Sequence, residues 1–253
     1  MRKIELSSFF PAVKESDINA ILNAFKVSND YMGNPNRNLI KKVNYKSMNL
    51  NVKAFKLPHL LNQFIYGYIR KSKASRSFQY ANKLLEYNIG TPKPLAYIEY
   101  KNIFGLRKSF YISENITYNL TYRELVTDPN LPNHELILRA FTQFTFDLHE
   151  NGVNFLDHSP GNTLIITSNN AYEFFLVDLN RMKFQSMSFN DRMQNFSRLS
   201  PKKEMVRVMS DEYAQISGLD FEMVFSKMWE LTEEFQNKIR RKKKLKKKLF
   251  LKK

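Results

Sequence analysis

The stretch 148–181 constrains this chain most, because it encloses a polar loop between apolar segments. The loop reads D-H-S-P-G-N, with Asp157 and Asn162 five positions apart, and Asp178 follows the apolar run F-F-L-V sixteen positions later. A carboxylate at the end of a buried strand needs a partner, and a cation is the usual one. Magnesium prefers oxygen ligands of this kind. The stretch therefore predicts oxygen ligands beside a carboxylate that can orient a hydroxyl group and take up its proton.

A plain surface turn is the alternative interpretation of the D-H-S-P-G-N loop. Asp, Ser, Pro and Gly all favour turns, through local hydrogen bonds or through their backbone angles. An apolar helix is predicted before the loop and two strand-like segments after it, and Asp178 ends a run typical of a buried strand. This setting favours a functional loop over a plain turn.

The same residues resemble a known family. An aspartate, an asparagine five residues later, an apolar strand and a second aspartate form the catalytic-loop and metal-binding signature of protein kinases. The form found here, D-x-S-P-G-N followed by V-D-L-N-R, resembles the lipopolysaccharide (Kdo/heptose) kinase family, a relative of the RIO kinases, most strongly over residues 50–182. The resemblance implies an α+β, two-lobed protein-kinase-like fold. We expect a strand-rich N-lobe over 1–115, a mainly helical C-lobe over 116–237 and a basic tail over 238–253.

The resemblance also implies roles for individual residues. Asp157 would orient the acceptor hydroxyl, and Asn162 and Asp178 would hold magnesium on the phosphates of ATP. In the run V-K-A-F-K, Lys53 would neutralise those phosphates, with Lys56 as the alternative. A solvated strand lysine competes with this interpretation, because the chain has 40 lysine and arginine residues.

The helix predicted over 75–88 departs from the family pattern. A glutamate that pairs with the phosphate-binding lysine is expected near its middle, where this chain has Gln79. Glu86 lies two turns further along the same face. Either Gln79 forms a neutral hydrogen bond with Lys53, Glu86 takes the place of the missing glutamate, or the lysine is unpaired. Lys53, Gln79 and Glu86 are therefore the candidates for this part of the expected nucleotide site.

Other departures concern the nucleotide-binding loops. No G-x-G-x-x-G is present, so a phosphate-covering loop within 28–38 would act through Asn34, Asn36 or backbone amides, unless it is an ordinary turn. Phe155 stands where related enzymes often carry a histidine, and D-L-N-R replaces D-F-G. We expect the adenine-binding hinge at 113–116. Arg181 is expected to support phosphates or to form a structural ion pair.

Periodicity predicts the main elements of the chain. Apolar residues at helical spacing predict helices over 16–26 and 134–150, an amphipathic helix within 58–73, and a last helix that continues into the basic tail. Ser16 is the expected cap of the first helix, and Gly90 is placed to end the helix over 75–88. The segments 94–100 and 108–116 predict a strand pair, and His149 is predicted to be a packing residue.

Composition limits the cellular setting. The chain has no cysteine, which fits a reducing cytosol, and it shows neither an apolar leader nor an apolar run long enough to cross a bilayer. Of the net charge of +16, eleven positive charges lie between Lys238 and Lys253, where no acidic residue occurs, and +5 comes from the rest. Such a tail can bind anionic lipids.

The resemblance to the lipopolysaccharide kinase family implies an ATP- and magnesium-dependent kinase that phosphorylates a Kdo or core sugar of a lipid A precursor. We expect a cytoplasmic protein, docked by its basic tail at the inner face of the bacterial cytoplasmic membrane, with no specific nucleic acid as partner. The alternatives are a RIO-like Ser/Thr protein kinase and a catalytically weak pseudokinase or interaction scaffold, including one that binds nucleic acid through the tail.

Overall fold

The computed structural model describes residues 1–32, 38–57, 63–168 and 171–250. Two compact units form. Unit 1 comprises Met1–Thr117 and Asp178–Asn180, and unit 2 comprises Tyr118–Val177 and Arg181–Lys253. The three residues 178–180 thus belong to unit 1 although the chain on both sides of them belongs to unit 2, which the sequence did not indicate.

Unit 1 is built on one antiparallel sheet with the strand order β1-β4-β5-β3-β2. Its strands are β1 (Arg2–Leu6), β2 (Leu39–Tyr45), β3 (Met48–Ala54), β4 (Pro94–Asn102) and β5 (Gly105–Glu114). The predicted pair of strands is therefore present as β4 and β5, with Tyr97 opposite Tyr111. β5 is therefore the central strand, and β4 and β3 lie on either side of it.

Two helices pack on this sheet. The helix α1 (Glu15–Val27) buries Ile18, Ile21 and Phe25 against β-strand residues such as Leu50 and Val52. The helix α2 (Lys73–Glu86) buries Ala74 and Phe78 in a separate cluster with Phe55 and Tyr97. Val52 of β3 faces the α1 layer, and Phe55, just after β3, packs in the α2 layer on the opposite side.

Several predicted boundaries in unit 1 were wrong. Lys14, not Ser16, occupies the N-cap position of α1. The Asp17 carboxylate accepts a hydrogen bond from the Lys14 backbone amide. The helix α2 ends before Asn88, which adopts a left-handed φ of 57° in the turn where Gly90 was expected to end the helix. Of the amphipathic helix predicted within 58–73, the structure shows a five-residue π-helical turn, Ile65–Ile69, and residues 58–62 lie outside the described part.

Unit 2 combines helices with two small sheets. The helices are α3 (Tyr122–Thr127), α4 (His134–Glu150), α5 (Phe189–Phe196), α6 (Lys203–Ser217) and α7 (Phe221–Phe250). The sheets are β6-β8-β9, from Leu120–Thr121, Thr163–Ser168 and Ala171–Leu176, and β7-β10, from Val153–Phe155 and Met182–Phe184. Phe141 on α4 is fully buried in one core with residues of α6 and α7, such as Met209 and Met228. The predicted helix 134–150 is thus confirmed at both ends.

The helix α7 has two halves of different character. Its first half packs on the core through Val224, Met228 and Leu231, with Trp229 against the same cluster. From Arg240 to Lys248 every residue is exposed. The segment expected as a tail therefore continues the last helix as far as Phe250. Within the described ranges, no helix is long and apolar enough to span a membrane.

Candidate active site

Lys53 lies on β3, where strand alternation decides the direction of its side chain. Val52 is fully buried on the α1 side, so Lys53 faces the other side of the sheet. The residue is only 8% exposed, and its ammonium Nζ lies 5.3 Å from the centre of the Phe55 ring. A buried ammonium needs an anionic partner. Lys53 finds it in Asp178, whose Oδ1 accepts a hydrogen bond from Nζ at 2.7 Å.

Asp178 is held in an uncommon backbone conformation. Its φ is 60°, in the left-handed region that aspartate and asparagine tolerate better than most residues. Asn180 Nδ2 donates to the same Oδ1 at 2.6 Å, so Lys53 and Asn180 both hold that oxygen. The second oxygen, Oδ2, has no hydrogen bond to a described residue. Such local strain is often found at functional sites.

The expected partners of Lys53 on α2 do not contact it. Gln79 Oε1 instead accepts a hydrogen bond from Lys71 Nζ at 2.7 Å, so the predicted neutral bond from Gln79 to Lys53 is wrong. Glu86 is exposed at the last position of α2 and forms no ion pair with Lys53. The lysine is paired, but with Asp178. The alternative lysine, Lys56, lies after β3 and is exposed.

Asp157 and Asn162 are joined within the loop that connects β7 and β8. Asn162 Nδ2 donates to the backbone oxygen of Asp157 at 2.8 Å, which leaves its amide oxygen Oδ1 without a hydrogen bond to a described residue. The backbone oxygen of Asn162 accepts a bond from Val177 at 3.0 Å. This bond extends the β8-β9 ladder to the residue just before Asp178. These bonds fix the Asn162 side chain and the backbone of Asp157.

Sequence reasoning missed the cation that pairs with Asp157. Arg198 Nη2 lies 2.9 Å from Asp157 Oδ1, and Arg198 Nη1 donates to the Leu156 carbonyl at 2.9 Å. A second guanidinium lies beside the loop, because a Cβ added to Gly161 would lie 2.6 Å from Arg123 Nη2. No local pattern relates Arg198 to a loop some forty positions earlier, so the sequence held no signal for it.

A buried polar network packs against the Asp157–Asn162 loop. Asn195 Oδ1 accepts from His158 Nδ1 at 2.8 Å, and Asn195 Nδ2 donates to the Phe155 carbonyl at 2.9 Å. His149 Nδ1 lies 3.0 Å from the Tyr213 hydroxyl, which confirms His149 as a packing residue. Phe155 is fully buried, and its ring centre lies 5.6 Å from that of His158. A phenylalanine therefore packs where related enzymes often carry histidine.

Acid should destabilise the protein through these two histidines. Burial lowers the pKa of His149 to about 3 and that of His158 to about 4, whereas both titrate near 6.5 when unfolded. Below about pH 6.5 the unfolded chain therefore binds more protons, and stability falls by about 1.4 kcal/mol per pH unit for each histidine. Urea unfolding between about pH 7 and 5 would measure this slope. His149→Gln should remove about half of it, and an unchanged slope would contradict the assignment.

Three further predictions have different outcomes. The residues Asn34 and Asn36, expected in a phosphate-covering loop, lie outside the described residues. The expected hinge 113–116 begins in the last two residues of β5 and continues beyond it. Ser113 is buried there, and the Asn115 amide donates to the Asn49 carbonyl at 2.9 Å. Arg181 is exposed, and its backbone carbonyl accepts from Leu156 at 3.0 Å, so it holds the loop through the main chain.

The donor chemistry can be compared with the needs of magnesium. Among the described residues, no group of three His, Cys, Asp or Glu side chains is placed to hold a metal ion. Magnesium at nucleotide sites takes only one or two protein carboxylates, and phosphates and water complete its shell. The unbonded oxygens of Asn162 and Asp178 are hard ligands of the required type. By donor type, each of these two residues fits this metal.

The comparison with known families agrees with this chemistry. A sequence model of the lipopolysaccharide kinase (Kdo/WaaP) family matches residues 32–224, which include Lys53, the Asp157–Asn162 loop and Asp178. The chain belongs to the lipopolysaccharide kinase (Kdo/WaaP) family. Members of this family are phosphotransferases that act on sugar hydroxyls, so the chain is a kinase of this class. No curated protein matches the sequence significantly.

A solved structure supports the fold of this family member. The structure, described as WaaP in complex with acyl carrier protein, superposes with a TM-score of 0.65 and is 14% identical in sequence. The alignment covers 94% of this chain and 98% of the other. At this identity the likeness shows the fold alone. It confirms the predicted α+β, kinase-like fold, with a strand-rich first part and a helical C-terminal part.

Proposed function

We propose that this family member uses ATP and magnesium to phosphorylate a Kdo or core-sugar hydroxyl of a lipopolysaccharide or lipid A precursor. The observation that carries the proposal is the buried Lys53 ammonium, 2.7 Å from Asp178 Oδ1. A buried strand lysine paired with the aspartate of the D-L-N-R motif suits the binding of phosphate and metal better than it suits the role of a solvated surface lysine. The family match supplies the acceptor class.

The proposed roles divide between charge neutralisation and positioning. Lys53 neutralises phosphate charge, and Asn162 and Asp178 supply oxygen ligands for magnesium. When bound, magnesium neutralises the charge that develops on the transferred phosphoryl group. Asp157 accepts a hydrogen bond from the acceptor hydroxyl and takes up its proton. The Lys53 ammonium is held in a fixed position by Asp178, and Asn162 Oδ1 and Asp178 Oδ2 have no hydrogen bond to a described residue, which supports these roles.

Product analysis tests the acceptor directly. The protein is incubated with Mg-ATP and purified lipid A precursors that carry Kdo alone or Kdo with core sugars, and the products are read by mass spectrometry. We expect the mass of one phosphate on a sugar of one of them. Phosphate on protein but on neither lipid would support a RIO-like protein kinase, and no transfer at all would support the scaffold alternative.

The basic half of α7 gives this kinase a means of membrane docking. Nine lysine and arginine residues lie between Lys238 and Lys248, with no acidic residue among them. Like charges four residues apart, as in Lys242 and Lys246, cost an isolated helix about 0.2–0.5 kcal/mol per pair. An anionic lipid surface removes that repulsion and adds about 1 kcal/mol per cation. We infer a peripheral position at the inner face of the cytoplasmic membrane.

Removal of the basic half of α7 should abolish membrane docking. Deletion after Gln236 is expected to eliminate binding to phosphatidylglycerol vesicles in a sedimentation assay, while transfer to a soluble acceptor continues. The full chain should also lose binding near 1 M salt, where the Debye length falls to about 3 Å. Vesicle binding by the truncated protein would contradict the proposed membrane role.

A further inference from the structure

Arg198 contacts the catalytic loop at two points. One guanidinium nitrogen lies 2.9 Å from Asp157 Oδ1, and the other donates to the Leu156 carbonyl at 2.9 Å. A planar guanidinium with two such bonds restricts both the position and the rotation of what it holds. The other carboxylate oxygen of Asp157 has no hydrogen bond to a described residue, so it is left for the acceptor hydroxyl.

The guanidinium is itself held by α7. Its carbon Cζ lies 5.4 Å from the centre of the Phe235 ring, within the range of a cation–π contact. Arg198 Nε is buried and has no hydrogen-bond partner among the described residues. The backbone is also fixed, because Leu199 is fully buried and its amide donates to the Phe196 carbonyl at 2.9 Å. Arg198 is therefore supported on both the backbone and the side-chain level.

We propose that Arg198 is a positioning residue that orients Asp157 for phosphoryl transfer, and that Phe235 of α7 keeps Arg198 in place. This inference rests on the proposed role of Asp157 as the residue that orients the acceptor hydroxyl. A displacement of about 1 Å in such a group lowers turnover on the order of 100-fold. Phe235 is the last aromatic residue before the basic half of α7 and contacts Arg198, so that helix supports the catalytic loop.

Kinetics on four variants test the inference. Arg198→Met should lower kcat about 100-fold with little change in the KM for ATP, because nucleotide binding is assigned to other residues. Arg198→Lys should fall between Met and wild type, since an ammonium cannot make both bonds in the same plane. Phe235→Leu should lower kcat roughly fivefold. Millimolar ethylguanidinium should restore part of the activity of Arg198→Ala, which a loss of folding would not allow.

Phe221, at the start of α7, provides a matched control for Phe235. Arg207 lies with its Cζ 5.2 Å from the Phe221 ring centre, an equivalent arginine–phenylalanine contact away from the catalytic loop. Phe221→Leu should leave kcat unchanged. Wild-type kcat in Arg198→Met, or an activity loss that ethylguanidinium does not restore and that follows the melting temperature, would overturn the inference. If Asp157→Asn is itself fully active, the proposed function fails instead.

Discussion

Asp157→Asn is expected to lower kcat for sugar phosphorylation by about 10³-fold, within the range typical for loss of a general base. Asparagine has nearly the same shape and can still accept a hydrogen bond from Arg198, so the loop should keep its structure. It cannot take up the proton of the acceptor hydroxyl. Transfer of labelled phosphate to the lipid acceptor would measure the loss, and the KM for ATP should stay within about twofold because Asp157 is not assigned to nucleotide binding.

The control for this change is Asp128→Asn in the same unit. Asp128 is exposed, and its Oδ1 accepts only a turn bond from Asn130 at 3.0 Å, which asparagine can also accept. Asp128→Asn should have wild-type kcat. If Asp157→Asn keeps more than about a tenth of wild-type turnover, Asp157 does not act as the base, since base removal costs at least 10²-fold in typical cases.

Asp178→Asn is expected to abolish the magnesium-dependent gain in thermal stability that ATP confers, and to lower kcat/KM by about 10²-fold or more. Asparagine tolerates the left-handed φ of 60° at this position, so the change removes the charge without adding backbone strain. Asp178→Ala would remove the charge and add strain, and its melting temperature without ligand should fall further. Differential scanning fluorimetry with ATP, with and without magnesium, separates the two effects.

Lys53 gives an internal check on the Asp178 result. Lys53→Met should weaken ATP binding both with and without magnesium, because the ammonium is assigned to the phosphates. Asp178→Asn should affect only the magnesium-dependent part. An Asp178→Asn protein with the full magnesium-dependent shift would remove Asp178 from the metal site. It would also leave the Lys53–Asp178 ion pair as a purely structural contact.

Local spacing in the sequence was enough to select Asp157, Asn162 and Asp178 as candidates. A D-x-x-x-x-N loop between an apolar helix and apolar strands can be recognised within some thirty residues of sequence. The strand that contains Lys53 shows a clear alternation of apolar and polar residues. The structure confirms the helix 134–150 and the strand pair β4–β5 because periodicity and turn residues decide both locally. The roles of Lys53, Asp157, Asn162 and Asp178 stay predictions.

The contacts that depend on distant segments could not be predicted. Arg198 pairs with Asp157 across about forty residues, and Phe235 contacts Arg198 from another helix, so neither leaves a periodic trace. The partner expected for Lys53 was chosen from a helix position, but the ion pair goes to Asp178, which enters unit 1 from far along the chain. Tertiary packing, rather than local preference, decided each of these contacts.

The unbroken course of α7 sets a distance. Fifteen residues separate Phe235 from Phe250, and at 1.5 Å per residue the helix extends about 22 Å past the ring that supports Arg198. Docking through all nine cations of the basic half requires this stretch to lie along the lipid headgroups, because the attraction falls off within a Debye length. The loop that Arg198 holds would then lie at one end of this contact, near the headgroups. Sugars close to the lipid would be within its reach, and inserted or deleted helical turns would lengthen or shorten the contact.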